Sequence, residues 1–356
     1  MFASLLTLAP LLQAPTSVPV RVDPRIELFT LVFRLIGAGE FNQPSSKSPY
    51  ADAAEEWFGV AREHEACTLA KVLRSQHGIG FNAVPDLAVN VSAPPELELR
   101  VPLEPWPERL DKRWQGADIE GFLRALRSFA QETDFAGFQA GWGSQRSAAE
   151  QSLAQQVEQS HVLAWLKEFF GVEAGTNYTA IPGLFCGPAN FGASVRLADG
   201  TLELWPVIGA SHWSAEGNAR YTPGDVPVVV HEFTHAFANP VVDAHWSALE
   251  PSFERLFPPL KNVMAQQAYG SPKTVAYESL VRACVVRHAA RHRGAEEAKR
   301  QIAEEVGRGF GWTGELAQLL ERYEAQRADY PTLVSFCPEI AKFFVQQAEK
   351  APAVAK

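Results

Sequence analysis

The sequence predicts an α+β fold that is predominantly helical, in which a helical N-terminal half is followed by a small β-hairpin or sheet beside a further helix. Three observations support this prediction. Residues 18–171 carry apolar side chains at helical spacing between capping residues. Residues 176–208 are richer in aromatic, β-branched and glycine residues and contain an Asp-Gly turn. After this segment the sequence returns to helical patterns, so residues 172–348 form a second region of mixed structure.

The overall composition indicates a globular chain with a sizeable core. The chain has 356 residues, of which 46% are hydrophobic and 21% are charged, as in packed proteins. Its net charge of −9 argues against binding to nucleic acid or to an anionic membrane surface. No apolar run beyond the N-terminus reaches the length of a transmembrane helix. We therefore expect no integral membrane segment in the mature chain.

The first residues resemble a secretory signal. Residues 2–14 form a short apolar run that is followed by small residues, although no Lys or Arg precedes the run. We expect residues 1–17 to be a signal peptide and the protein to be secreted or periplasmic. The four cysteines form no C-x-x-C pair, and they leave open whether the chain has one or two disulfides or buried free thiols.

Several predicted helices begin and end at recognisable caps. Asp23 and Pro24 begin the first helix, and Gly37 ends it. Predicted helices of the N-terminal half span residues 23–37, 50–64, 66–77, 117–132 and 146–171. The proline-rich residues 83–107 are expected to form a loop with a short strand. Residues 295–346 contain two or three further helices, and residues 349–356 form a flexible tail.

Residues 193–198 and 201–207 are predicted to pair as a β-hairpin. They flank Asp199-Gly200, a dipeptide that favours the two-residue turns of hairpins. The hairpin lies shortly before the next helix along the chain. An edge strand in this position can pair with an extended peptide through its backbone groups, and an ordinary structural hairpin explains the pattern equally well.

Residues 225–240 carry the pattern H-E-x-x-H, formed by His231, Glu232 and His235. On a helix the two histidines lie at i and i+4, so both imidazoles leave the same face and can bind one zinc ion. Glu232 can then reach a metal-bound water rather than the metal. Asp225 is the expected N-cap, and Asn239-Pro240 the expected end of the helix. The alternative is a pair of buried core histidines.

A catalytic zinc ion needs a third protein ligand, for which Glu278 is the preferred candidate. A histidine six residues after His235 is excluded, because that position is Val241. Glu278 lies in an apolar stretch of a predicted helix over residues 271–293, where a carboxylate needs a partner. The alternatives are an i,i+4 ion pair between Glu278 and Arg282, and Glu250 as the ligand.

The hairpin, the HEFTH helix and the later YESLVRA segment resemble the gluzincin, or thermolysin-like, clan of zinc metallopeptidases. This resemblance implies a zincin-like domain in which His231, His235 and Glu278 bind one Zn²⁺ and Glu232 is the general base. His235 and Glu278 are separated by more residues here than in thermolysin, which implies an inserted element over residues 241–270. Arg282 stands where the clan has an aspartate that supports a histidine.

Three segments together resemble a bacterial family of exported proteins known as a domain of unknown function: VDPRIELFTLVFRLIG, HEFTHAFANP and AYESLVRA. The expected function is hydrolysis of a peptide or protein substrate, with another hydrolysis at the same metal site as a related possibility. The alternative is a catalytically silent binding or envelope protein of the same fold. Candidate oxyanion donors are Tyr277, Arg282, His288 and Tyr330.

Overall fold

The computed structural model describes residues 17–43, 47–171 and 175–351. Within these ranges the protein is predominantly helical and contains a small four-stranded sheet, which confirms the predicted α+β class. The predicted signal peptide lies outside the described residues, except for its last position, and so do residues 352–356 of the predicted tail. The predicted start of that tail is wrong, because residues 349 and 350 still belong to the last helix.

Eight α-helices lie in the described part of the N-terminal half. They are α1 (Pro24–Leu35), α2 (Pro49–Phe58), α3 (Glu65–His77), α4 (Ala83–Val89), α5 (Ile119–Glu132), α6 (Phe135–Gly141), α7 (Gly143–Ser160) and α8 (Val162–Phe170). The predicted cap of α1 is confirmed, because the Asp23 side chain accepts a hydrogen bond from the Arg25 N–H.

Two predictions in this half are wrong. Residues 83–107 were expected to form a loop with a short strand, but residues 83–89 form helix α4, every residue of which is buried. The proline of α4, Pro85, lies in its first turn, where a missing N–H costs no helical bond. The single helix expected over residues 146–171 is divided into α7 and α8 by His161, which has a left-handed φ of 54°. At this break the His288 Nε2 atom lies 2.7 Å from the Ser160 carbonyl oxygen, so the carbonyl has a tertiary partner.

The sheet is built around β4 (Leu202–Gly209). Along one edge β4 pairs antiparallel with β3 (Phe191–Arg196), which confirms the predicted hairpin. Along its other edge β4 pairs in parallel with β1 (Thr176–Tyr178) and then with β2 (Ile181–Gly183). The outer edge of β3 therefore has no partner strand among the described residues.

Six further helices complete the described chain. They are α9 (Val226–Ala244), α10 (Trp246–Ala265), α11 (Pro272–His292), α12 (Ala295–Gly307), α13 (Thr313–Ala325) and α14 (Leu333–Lys350). Helix α10 occupies most of the predicted insertion, and Ser271 caps α11 as predicted, since its side chain accepts from the Thr274 N–H.

The expected end of α9 at Asn239-Pro240 is wrong, because the helix continues through Pro240 to Ala244. A proline inside a helix removes the hydrogen bond to the carbonyl four residues earlier, here that of Ala236. The Arg109 side chain from the N-terminal half reaches this carbonyl oxygen, with its Nη1 atom 3.4 Å away. The expected N-cap bond of Asp225 is also absent from the described contacts of α9. Asp225 instead closes a capping box with Thr222 in the preceding turn.

One continuous apolar core runs through both halves of the described chain. It includes Phe29 and Phe122 from the N-terminal helices and Val230, Phe233 and Val281 from α9 and α11. The four cysteines are all buried and free, so the free-thiol alternative is the one observed. No helix in the described ranges is long and apolar enough to cross a membrane.

Candidate metal centre

Helix α9 places both motif histidines on one face, next to α11. The His231 and His235 Nε2 atoms lie 3.1 Å apart, as expected for positions one turn apart on a regular helix. Helix α11 packs closely along α9 and brings in the Glu278 carboxylate. Its Oε2 atom lies 3.5 Å from the His231 Nε2 atom, and its Oε1 atom lies 3.4 Å from the His235 Nε2 atom.

These three side chains form a group that could hold a metal ion. Ligand atoms bound tetrahedrally at about 2.1 Å from an ion lie roughly 3.4 Å from one another. The two Nε2 atoms lie 3.1 Å apart, and each lies near that value, at 3.4 or 3.5 Å, from one of the two Glu278 oxygens. The residues present therefore fit a single ion with three protein ligands and an open fourth position.

The chemistry of the donors also fits a cation. The Asn239 Oδ1 atom lies 3.2 Å from the His235 Nδ1 atom, so it accepts that N–H and leaves the Nε2 lone pair free. Burial holds the pKa of His231 well below its usual range, and the neighbouring His235 acts in the same direction. Two imidazole nitrogens and a carboxylate thus lie next to one another, an arrangement that a metal ion stabilises.

Behind the metal group lies a buried ion network that connects α11 to α12. The Arg282 Nη2 atom donates to the Glu278 Oε2 atom at 3.0 Å, and its Nη1 atom donates to Glu305. Glu305 also accepts from Gln301 and Arg308 at 2.7 and 2.9 Å. The Glu278–Arg282 ion pair and the Glu278–histidine contacts therefore exist together, and the two alternatives for Glu278 are not exclusive.

Glu232 lies beside the metal group, and its carboxylate has no bonding partner of its own among the described residues. Its residue surface is 8% exposed, and its carboxylate makes no hydrogen bond or ion pair with any described residue. Burial raises the pKa of Glu232 well above its usual range, and the nearby Glu278 carboxylate adds to this effect. A buried carboxylate without a partner is costly.

The metal group opens into a cleft of about 870 Å³ that both halves of the chain line. Strand β3 borders this cleft at Gly192, which lies directly against α9. A Cβ atom at Gly192 would lie 3.0 Å from the Glu232 carbonyl oxygen and 3.4 Å from the His235 Cβ atom. A side chain at this position would force the strand or the motif helix to shift by a few tenths of an ångström.

The four candidate oxyanion donors fall into two groups, those that line the cleft and those that do not. Tyr277 and Arg282 line the cleft, where the Tyr277 hydroxyl donates to Asp243. His288 is buried against Ser160, and neither it nor Tyr330 lines the cleft. Glu250 is exposed on α10 and is not part of the metal group.

Three residues of the site were missed by the sequence analysis. Asn239 was read as the end of a helix, and Glu305 lies on a separate helix with no motif of its own. Tyr269 precedes the cap of α11, and its hydroxyl accepts from the Arg282 Nη2 atom at 2.9 Å. No local signal in the sequence pointed to Glu305 as a second carboxylate partner of Arg282.

Fold and site together define an α+β protein with a candidate three-ligand metal centre between two helices and an edge strand. Residues 18–343 match the family described as Domain of unknown function (DUF4932). The match covers most of the chain, and the protein belongs to this family. No curated protein and no solved structure matches the chain.

Proposed function

We propose that this protein is a zinc-dependent hydrolase with a zincin-like site and that it cleaves peptide bonds. The observation that carries the proposal is Glu232, a buried carboxylate without a partner, next to a group of two histidines and one glutamate. Two histidines and a glutamate are a known ligand set of catalytic zinc, which keeps one position open. A purely structural metal site has no need of the additional carboxylate.

His231, His235 and Glu278 would hold the ion. When bound, zinc supplies a lowered pKa for a coordinated water and a positive charge that polarises a carbonyl group. Glu232 accepts a proton from the attacking water at its carboxylate and donates it to the departing amine nitrogen. Asn239 fixes the ring orientation of His235 through the Nδ1 atom.

The edge strand supports a peptide rather than a small molecule as substrate. Gly192 of β3 borders the cleft and approaches Glu232 closely. An extended peptide can add to an unpaired strand edge through main-chain hydrogen bonds. Such pairing would hold a peptide carbonyl near Glu232 independently of side-chain identity.

The test is hydrolysis of a panel of unstructured peptides by the zinc-loaded protein and by Glu232→Gln. We expect hydrolysis by the wild type and a loss on the order of 10²–10⁴ in kcat for the variant, with zinc content unchanged. Glu250→Gln is the matched control, because Glu250 is exposed and outside the metal group. Zinc binding without hydrolysis of any peptide would favour the catalytically silent alternative.

A further inference from the structure

The connection between α3 and α4 holds a bulky side chain in a left-handed backbone conformation at the cleft. Phe81 has a φ of 52°, a value that bulky residues rarely adopt. Leu97 is the other large apolar residue with a positive φ in the described part of the chain. Leu97 is fully buried, whereas Phe81 is 42% exposed and lines the cleft. Burial therefore offsets the backbone strain at Leu97 more fully than at Phe81.

A buried ion pair fixes this conformation. The Phe81 N–H donates to the Glu40 Oε1 atom at 2.9 Å. Both Glu40 oxygens accept from Arg74, at 2.6 and 2.8 Å, and the Glu40 side chain is 1% exposed. A Cβ atom at Gly80 would lie 2.6 Å from the Glu40 Oε1 atom, so the ion pair leaves no room for a side chain there. The Arg113 Nη1 atom also donates to the Gly80 carbonyl oxygen at 3.0 Å. Three separate segments of the chain thus hold Phe81 in place.

Phe81 belongs to one wall of the cleft, which we call the α4 wall and which Asn82, Asp111 and Arg113 also form. The two charged groups of this wall are paired with each other, because the Asp111 oxygens accept from the Arg113 Nε and Nη2 atoms at 2.9 and 2.8 Å. Behind the wall, burial raises the pKa of Asp86 well above its usual range. The α4 wall thus offers an aromatic ring and no unpaired charge among its four residues, which suits an uncharged apolar group.

The α4 wall and the metal group face the same cleft. Helix α4 packs against β3, and β3 approaches the motif helix at Gly192. Phe81 directly precedes the N-cap of α4, and both Phe81 and Glu232 line the cleft. A substrate that binds at the metal group and extends along the cleft towards α4 can therefore contact the Phe81 ring.

We propose that Phe81 is a specificity-determining residue whose ring binds a large apolar side chain of the substrate. The inference rests on the proposed function, whose substrate class it narrows from peptides in general to peptides that carry such a side chain. Backbone strain that the surrounding structure maintains is typical of ligand-binding positions. Here it presents an aromatic ring to the cleft, where burial of apolar surface against the ring stabilises the bound substrate.

The first test compares two peptides that differ at one central position, with Phe or Ser in an otherwise polar sequence. Binding is measured by calorimetry on zinc-loaded Glu232→Gln. We expect the Phe peptide to bind at least about tenfold more tightly, because a large apolar side chain leaves water. Phe81→Ser, made in the same protein, should reduce this ratio by about threefold or more, and Phe81→Leu should reduce it less. Val334→Ser is the matched control, since Val334 is 47% exposed and lies outside the cleft.

The second test asks whether Phe81 is strained, and it needs no ligand. Glycine adopts a positive φ without a steric penalty, whereas alanine does not. We therefore expect Phe81→Gly to unfold at a higher urea concentration than Phe81→Ala. A higher unfolding midpoint for Phe81→Ala would show that the backbone is not strained and would overturn the inference.

Hydrolysis of the same two peptides by the wild type separates this inference from the proposed function. Equal binding of the Phe and Ser peptides overturns the inference, and it leaves the proposed function intact when either peptide is hydrolysed. A preference for the Phe peptide that Phe81→Ser does not change also overturns it. Tight binding of the Phe peptide that depends on Phe81, but without hydrolysis, supports Phe81 as a binding residue and counts against the proposed function alone.

Discussion

The Arg282 guanidinium donates to the Glu278 carboxylate at 3.0 Å, one helical turn further along α11. The same carboxylate faces both motif histidines. Arg282 neutralises part of the charge on Glu278 and is itself paired with Glu305. The candidate metal group is therefore one end of a buried chain of alternating charges.

Loss of Arg282 should be strongly destabilising. In Arg282→Met, Glu305 and Glu278 lose their shared cation, and their side chains are 3% and 7% exposed. Breaking a buried pair by removing one partner costs about 3–5 kcal/mol. We expect a loss of that size in the free energy of unfolding of metal-free protein, measured by urea denaturation.

Arg300→Met provides the comparison for Arg282. Arg300 also pairs with glutamates, but its side chain is 51% exposed, so its removal should cost less than about 1 kcal/mol. Similar losses for the two variants would show that the Arg282 network does not contribute as a buried ion pair.

Asn239 should tune the affinity of the metal centre. Removing a hydrogen-bond partner of a ligating histidine typically lowers metal affinity 10–100-fold. Asn239→Ala should therefore weaken zinc binding by a factor in this range, measured by competition with a chromophoric chelator. Asn262→Ala on α10 is the control, since Asn262 is exposed and outside the cleft. Unchanged affinity in Asn239→Ala would remove Asn239 from the site.

Glu27 of α1 should make stability depend on pH. Its residue surface is fully buried, and burial raises the pKa of its carboxyl from 4.5 to about 7. Tyr50 of α2, Arg146 of α7, Asp23 and Cys186 also act on it. Tyr50, Cys186 and Asp23 titrate outside the window from pH 5 to 8. Burial raises the pKa values of Tyr50 and Cys186 far above that window, and the pKa of Asp23 lies below it.

The sign follows from proton binding. Between pH 4.5 and 7 the folded state holds a proton on Glu27 that the unfolded state has lost, so the unfolding free energy decreases as pH rises. The full decrease is roughly 3 kcal/mol. Glu27→Gln lacks this decrease, so its stability relative to the wild type should increase from pH 5 to pH 8. Urea denaturation at both pH values measures it, with the exposed Glu254→Gln as control. A constant difference between Glu27→Gln and wild type would contradict the prediction.

The grouping of His231, His235 and Glu278 was predictable because helical spacing and an apolar surrounding are local properties of the sequence. Asn239 was not predictable, since Asn-Pro signals the end of a helix unless a distant residue satisfies the freed carbonyl. Here Arg109 satisfies it from 127 residues away. The burial of α4 and the break at His161 likewise depend on tertiary contacts, which periodicity does not record.

The most direct test of the metal centre is the zinc content of the purified protein, measured by mass spectrometry for the wild type, Glu278→Ala and Glu250→Ala. We expect about one zinc per chain in the wild type and in Glu250→Ala, and a large loss in Glu278→Ala, if His231, His235 and Glu278 together hold the ion. Zinc retained in Glu278→Ala but lost in Glu250→Ala would contradict the assignment of the third ligand. Wild-type protein that binds no zinc would contradict the account as a whole.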